Sequence, residues 1–123
     1  MKILVLNAHD KTVKVEEIGD KMTLADYLIT LDCDEIDITQ RLLDGKCFDI
    51  VFDAQHKLRR ERILSASSVT NIKDNFIGNL IICNLDEHDN HLGLTDDDIN
   101  HIKRHIHECM DKHGVYRPVL FLD

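Results

Sequence analysis

The first thirty residues follow an apolar–polar pattern that predicts a hairpin and then a helix. Residues 2–6 do not alternate, as expected for a strand that is buried on both faces. After a predicted turn at 8–11, Val13 and Val15 alternate with charged residues, which indicates a half-buried strand. Thr23 is a suitable N-cap for the following helix. The apolar face of this helix would consist of Leu24, Tyr27, Leu28 and Leu31.

The middle of the chain predicts two strands around a tight turn and a third strand further on. Ile36 and Ile38 alternate with polar residues, which is typical of a short strand. The pair at 44–45 is Asp-Gly, a strong hairpin signal, and an apolar run at 47–52 follows it. The next long apolar run predicts a strand over residues 80–85.

Two segments between these strands lack an apolar pattern. Residues 58–62 include four charges among five positions, so we predict a loop or an exposed edge there. Residues 65–74 are mostly small and polar, and we predict that they are the least structured part of the chain.

The residues after position 94 predict the longest helix. Thr95 is the N-cap, and Asp98 completes an acidic variant of the capping box. Gly114 is placed to end the helix. The apolar stripe comprises Ile99, Ile102, Ile106, Met110 and His113, with Cys109 on its edge. Residues 115–122 are apolar enough for a strand, but Pro118 restricts them to a sheet edge or a packed tail.

Together these elements predict an α+β fold. We expect a small, mostly antiparallel or mixed sheet with two helices covering one face, the longer helix being the C-terminal one. The chain has 123 residues, so we expect a single domain over 1–123. Its apolar runs are far shorter than the roughly 18 residues of a membrane span, so no membrane association is expected.

The charge balance narrows the range of partners. The chain has 15 Lys and Arg residues against 23 Asp and Glu residues, a formal charge of −8 with neutral histidines. Electrostatic binding of nucleic acid requires a basic surface, so direct nucleic-acid binding is not expected. The four cysteines are scattered without a C-x-x-C pair, which is typical of a reduced, cytoplasmic protein.

Acidic residues in the last third indicate a surface for a basic partner. They lie in the polar loop before the final helix and in the first turn of that helix. We therefore predict an unidentified protein partner, and we expect a monomer or a weak dimer. The candidate partner-binding residues are Asp86, Glu87, Asp89, Asp96, Asp97 and Asp98.

The histidines offer an alternative. Six of the eight lie in the last third of the chain. On a helix, His101, His105 and Cys109 would lie four apart on one face and could share a zinc or nickel ion. Against this, Cys109 is at the edge of the apolar stripe, and Lys103 and Arg104 would repel a divalent ion. Metal binding by the His-rich C-terminal third is therefore the alternative function, and we expect no resident cofactor.

The sequence carries no familiar catalytic motif. It has no glycine-rich phosphate loop and no G-x-S-x-G motif, and its acidic loop lacks the spacing of a calcium-binding EF-hand. We therefore expect that the protein is not an enzyme.

The order of segments resembles the family known as domain of unknown function 3846. The matching pieces are Met1–Leu6, Phe48–Asp53 with the turn ending at Leu58, Gly78–Ile82 and Leu94–Ile99. The resemblance implies a small accessory protein of a phage, plasmid or conjugative transposon of Gram-positive bacteria, and it assigns no activity. Ser65–Ser68 departs from the family, whose members often carry proline there. The leading hypothesis is a non-catalytic protein-binding module that modulates a host nucleic-acid-binding or defence protein.

Overall fold

The computed structural model describes residues 1–71 and 73–123, which form two helices, one short 3₁₀ helix and nine strands. The helices are α1 (Leu24–Leu31) and α2 (Asp96–Lys103), and the 3₁₀ helix is His56–Leu58. The strands are β1 (Lys2–Asn7), β2 (Thr12–Glu17), β3 (Ile36–Leu43), β4 (Lys46–Asp53), β5 (Leu64–Ser68), β6 (Asn75–Ile77), β7 (Leu80–Cys83), β8 (Ile106–Met110) and β9 (Tyr116–Leu122). Neither helix is long and apolar enough to cross a membrane.

Five strands form an antiparallel sheet in the order β2-β1-β7-β4-β3. The predicted N-terminal hairpin is confirmed, with Leu4 opposite Val15. The turn at Asp44-Gly45 is also confirmed, and both residues have positive φ, 49° and 77°. A two-residue hairpin turn of this kind requires that conformation, which Asp and Gly tolerate better than most residues.

The remaining strands form a second sheet, so the fold is α+β with two sheets rather than one. Its order is β6-β5-β9-β8. The β5–β9 pair is parallel and the other two pairs are antiparallel. The expectation of a mostly antiparallel or mixed arrangement with two helices is therefore confirmed.

Alternate residues of the central strands point into two different cores. The broad core lies between the five-stranded sheet and the second sheet with α2, and it contains Leu4, Leu6, Ile50, Leu80, Ile82, Ile99, Ile102, Leu120 and Leu122. The narrow core lies under α1 and contains Ile3, Val5, Tyr27, Leu31, Val51, Ile81 and Cys83. The prediction that both helices cover one face is wrong, because α1 and α2 cover opposite faces of the five-stranded sheet.

The prediction that the C-terminal helix is the longer one is also wrong. Both helices have eight residues, and the chain forms β8 from Ile106 onward. Ile106 and Met110 lie four apart, a spacing that suits one helix face and equally one side of a strand. The pairing of β8 with β9 shows that these residues form a strand rather than a helix. Gly114, with φ 76°, serves the turn between these strands rather than a helix end.

The segment predicted to be least structured contains a buried strand. β5 covers Leu64–Ser68 and so includes residues 65–68 of the segment 65–74, while residue 72 lies outside the described residues. The small serines tolerate burial because their hydroxyls have acceptors. Ser65 donates to the carbonyl of Phe76 (3.1 Å), and Ser68 donates to the carbonyl of Asp123 (2.9 Å).

The position of β9 corrects the expectation for Pro118. The strand lies inside the second sheet, between β5 and β8, rather than at an edge. Proline is accommodated because β5 pairs with Leu120–Leu122 only, so Pro118 lies where β8 is the paired strand.

Candidate functional site

The six acidic residues predicted to bind a partner lie on two segments, the loop 85–91 and the start of α2. The loop is closed by a bridge between Leu85 and His91. The side chain of Asp86 accepts the backbone N–H groups of His88 (2.8 Å) and Asn90 (2.9 Å). These two bonds lower the pKa of Asp86 below its usual range, and the bond from Asn90 has the larger effect. Asp86 is therefore a structural residue of the loop.

Asp98 has a structural role in α2. It is 5% exposed, accepts the N–H of Thr95 (2.9 Å) and forms an ion pair with Lys46. Burial raises the pKa of its carboxyl, but the bonds from Lys46 and Thr95 outweigh that effect and lower the pKa overall. Asp96 is exposed and pairs with Lys2 (2.9 Å).

Three of the six acidic residues are exposed and do not serve the fold in this way. They are Glu87, Asp89 and Asp97. Glu87 lies 3.6 Å from the exposed side chain of His88, a contact that is an ion pair only when the histidine is protonated. The predicted acidic surface is thus reduced to these three side chains together with the ion-paired Asp96.

A groove that sequence reasoning missed lies between the end of α1 and the 3₁₀ helix. Its volume is about 630 Å³, and its apolar lining includes Leu28, Ile29 and Leu58. Ile29 is 78% exposed and Leu58 is 82% exposed. Ile29 lies outside the predicted apolar face of α1. An apolar residue on the polar side of this helix was the signal in the sequence that could have revealed the groove.

The charges around this groove are mainly negative. Asp32 and Asp34 lie at its rim. Arg59, which also lines the groove, already has hydrogen-bond partners. Its Nε donates to the buried Asp53 (2.7 Å), and its Nη2 donates to the carbonyl of Asp32. The bond to Asp53 raises the pKa of Arg59. Burial raises the pKa of Cys33, so that thiol is neutral near pH 7.

The narrow core contains a buried polar pair beside the acidic loop. The hydroxyl of Tyr27 lies 2.7 Å from Nε2 of His91, which is 1% exposed. Nδ1 of His91 has no hydrogen-bond partner among the described residues. Burial is the main cause that raises the pKa of Tyr27 to about 12 and lowers that of His91. The pair ties the loop to α1.

The structure separates Cys109 from the other two predicted metal ligands. His101 lies on α2, His105 just beyond it, and Cys109 lies on β8 opposite Arg117. His101 and His105 instead meet Asp44 of the β3–β4 turn, and one donor atom from each of these three lies within 4.8 Å of the others. The helical spacing identified two members of this group, while Asp44 comes from a turn that is distant in sequence.

A scan against protein-family models identifies residues 1–107 as a match to "Domain of unknown function (DUF3846)". The chain belongs to the DUF3846 family. The DUF3846 match includes the groove, His101 and His105, and it ends within β8, before β9 and Asp123. Neither the search of curated proteins nor the search of solved structures finds a match.

Proposed function

We propose that the protein is a non-catalytic protein-binding module, and that the groove beside α1 is its binding surface. The observation that carries this proposal is the exposure of Ile29 and Leu58, which line one concave surface. Exposed apolar side chains that share a groove with a polar rim are characteristic of interaction sites. The occupant we propose is a protein segment with an apolar side chain next to lysine or arginine.

The charges support a basic partner. Asp32 and Asp34 border the apolar lining, whereas Arg59 is neutralised by Asp53. The hydrogen bond between Tyr27 and His91 holds the acidic loop against α1, so the charges of this loop attract a basic partner of the groove at longer range. With a formal charge of −8, the whole protein attracts a basic partner at long range.

The setting we propose is that of an accessory protein of a mobile element, acting in the cytoplasm on a host nucleic-acid-binding or defence protein. The family resemblance supports the first part of this proposal. The second rests on the chemistry of the groove, since proteins that bind nucleic acid present basic surfaces that an acidic module can occupy.

Site-specific photo-cross-linking tests the groove. A photo-reactive amino acid is placed at Ile29 or Leu58 in the tagged protein, and at Val69 as a control. Val69 is also apolar and 64% exposed, but it lies outside the groove lining. We expect one protein partner to be cross-linked from positions 29 and 58 and not from 69. Equal cross-linking from all three positions would contradict a specific groove.

Two sets of variants then separate the contribution of the groove to binding affinity from that of the exposed acidic residues. Ile29→Glu with Leu58→Glu should abolish binding of the cross-linked partner, because both changes place charge in the apolar contact. Glu87→Gln, Asp89→Asn and Asp97→Asn together should reduce affinity and weaken its dependence on salt, because these residues act at longer range. Binding that survives in the groove variant and disappears in the acidic variant would place the partner on the acidic loop instead.

A further inference from the structure

We propose that Asp44, His101 and His105 form a binding site for a divalent transition-metal ion, with Zn²⁺ as the best match to their chemistry. Two imidazoles and one carboxylate are a common ligand set for zinc. The site is independent of the proposed partner groove, since it shares no residue with the groove lining.

Three segments bring the donors together. Asp44 is at the tip of the β3–β4 hairpin, His101 is in the last turn of α2, and His105 precedes β8. Backbone bonds fix His105, whose N–H donates to the carbonyl of Ile102 (3.0 Å) and whose carbonyl accepts the N–H of Phe121 (2.8 Å). The two histidine rings have centroids 5.3 Å apart.

The hydrogen bonds around the group resemble the outer shell of a metal site. Nε2 of His101 lies 2.6 Å from the carbonyl oxygen of Leu43. A carbonyl oxygen only accepts, so Nε2 is the donor in this bond and Nδ1 is the ring nitrogen that would bind a metal ion. Metal-ligating histidines typically donate their second ring N–H to a carbonyl or carboxylate in this way. The ring of His101 also packs against Phe48, with centroids 6.0 Å apart.

The hairpin tip is held in place by a second carboxylate. Asp123 accepts the N–H groups of Asp44 (2.7 Å) and Gly45 (3.0 Å). This leaves the side chain of Asp44, which is 73% exposed, free to rotate towards the histidines. The site therefore has two carboxylates beside two imidazoles, and this arrangement attracts a cation.

The distances require only a small adjustment. Oδ2 of Asp44 lies 3.9 Å from Nε2 of His105. Ligand atoms around a tetrahedral zinc at about 2.0–2.1 Å lie roughly 3.3 Å apart. The three donor atoms lie within 4.8 Å of one another, and small rotations of the exposed Asp44 and of the half-buried His101 and His105 can close these gaps without moving a buried residue. Three protein ligands leave a fourth position for water or for another ligand.

The nearby cations do not block the site. Lys46 is paired with the buried Asp98, and Lys103 and Arg104 are exposed. Long exposed cationic side chains can extend into solvent, away from a bound ion. The repulsion expected for a continuous helix is therefore smaller in the folded chain.

Zinc titration of untagged protein by calorimetry is the first measurement, with Mg²⁺ as a control because it prefers all-oxygen ligands. We expect one Zn²⁺ per chain, a melting temperature that rises with zinc concentration, and no response to Mg²⁺. Binding of the ion to the native state alone raises stability in this way. Absence of zinc binding up to millimolar concentration would overturn the proposal.

Matched variants identify the ligands. His105→Gln and Asp44→Asn should each weaken zinc binding at least about tenfold. Asparagine also tolerates the positive φ of position 44. The paired control is His88→Gln with His107→Gln, which removes two exposed imidazoles elsewhere. Equal loss in that control would indicate non-specific histidine binding and would refute this site.

A third set of data separates this site from the ligand set suggested by helical spacing. Cys109→Ser should leave zinc affinity unchanged. X-ray absorption of the zinc complex should show nitrogen and oxygen ligands at about 2.0–2.1 Å and no sulfur at about 2.3 Å. A zinc–sulfur distance, or loss of binding in Cys109→Ser with full binding in Asp44→Asn, would overturn the assignment. Circular dichroism of each metal-free variant confirms that a loss of binding is not a loss of folding.

Discussion

The two cores differ in how they treat the histidine that each one buries. At the edge of the broad core, His56 packs against Phe52 and Phe76, and its Nδ1 accepts the N–H of Ile77 (3.1 Å). In the narrow core, His91 bonds to Tyr27, and its Nδ1 lacks a partner among the described residues. A second sheet and a helix cover the broad core, whereas one short helix and a loop cover the narrow core. In this thinner covering, the Tyr27–His91 contact is a buried hydrogen bond between side chains.

This contrast explains where apolar surface stays exposed. α2 buries Ile99 and Ile102 in the broad core and exposes a polar surface. α1 buries Tyr27 and Leu31 but leaves Ile29 in solvent, although its length and capping box match those of α2. The exposure of Ile29 makes it available to the partner that we propose for the groove.

The largest effect should come from a truncation in the broad core. Ile102→Ala should lower the free energy of unfolding by about 2–5 kcal/mol, because Ile102 is fully buried and its loss leaves a cavity. Ile29→Ala, in the exposed part of α1, should change it by less than about 0.5 kcal/mol. Urea unfolding measures both. Similar costs for the two variants would contradict the different roles of the two helices.

The next effect concerns the polar bond of the narrow core. Tyr27→Phe should cost about 1–3 kcal/mol, since it leaves Nε2 of His91 buried without its partner. Tyr116→Phe is the matched control, because Tyr116 is 59% exposed. If Tyr27→Phe proves neutral in chemical denaturation, the pair does not stabilise the attachment of the loop to α1.

The two capping boxes should give smaller and nearly equal effects. Thr23→Ala and Thr95→Ala should each lower the free energy of unfolding by about 1 kcal/mol, because each hydroxyl accepts the N–H of the third helical residue.

Asp98→Asn should lower the free energy of unfolding more than Asp26→Asn, since only Asp98 is buried and paired with a lysine. The reverse order in thermal unfolding would show that the ion pair with Lys46 contributes nothing.

The smallest expected effect depends on pH. Burial lowers the pKa of His91 and of His56 below the unfolded value of about 6.5, so the unfolded chain binds these protons more readily. Stability is therefore complete above pH 6.5 and decreases as the pH falls below it. The native carboxylates with lowered pKa titrate only near pH 4 and lower, so they do not obscure this range.

Unfolding free energies at pH 7.5 and 5.5 measure this effect. We expect the decrease at pH 5.5 to become smaller in His91→Gln and to stay unchanged in His88→Gln, whose histidine is exposed. The same decrease in wild type and His91→Gln would assign the pH dependence to His56 or to other groups.

Local signals in the sequence were sufficient for the elements whose partners are close along the chain. The hairpin of β1 and β2, the Asp44-Gly45 turn and the caps at Thr23 and Thr95 depend on residues within about one turn or one hairpin. Their physical causes, namely alternation, positive φ and side-chain capping, are all visible in short windows of sequence.

The errors in the sequence prediction lie where distant residues decide the structure. Ile106 continues a helical spacing, and only its pairing with Leu120 makes it part of a strand. Ser65 and Ser68 read as loop residues until their acceptors, Phe76 and Asp123, are known. For the same reason spacing found His101 and His105 but not Asp44.

The parallel pairing of β5 with β9 has a consequence for synthesis of the protein. Ala66 pairs with Leu120, so β5 emerges from the ribosome roughly fifty residues before its neighbour. At about 5–20 residues per second, this delay lasts about 3–10 s. Throughout that interval the β5 edge that pairs with β9 stays unpaired, and the broad core lacks Leu120 and Leu122. Aggregation of the newly made chain, rather than unfolding of the finished protein, is thus the hazard that this topology creates.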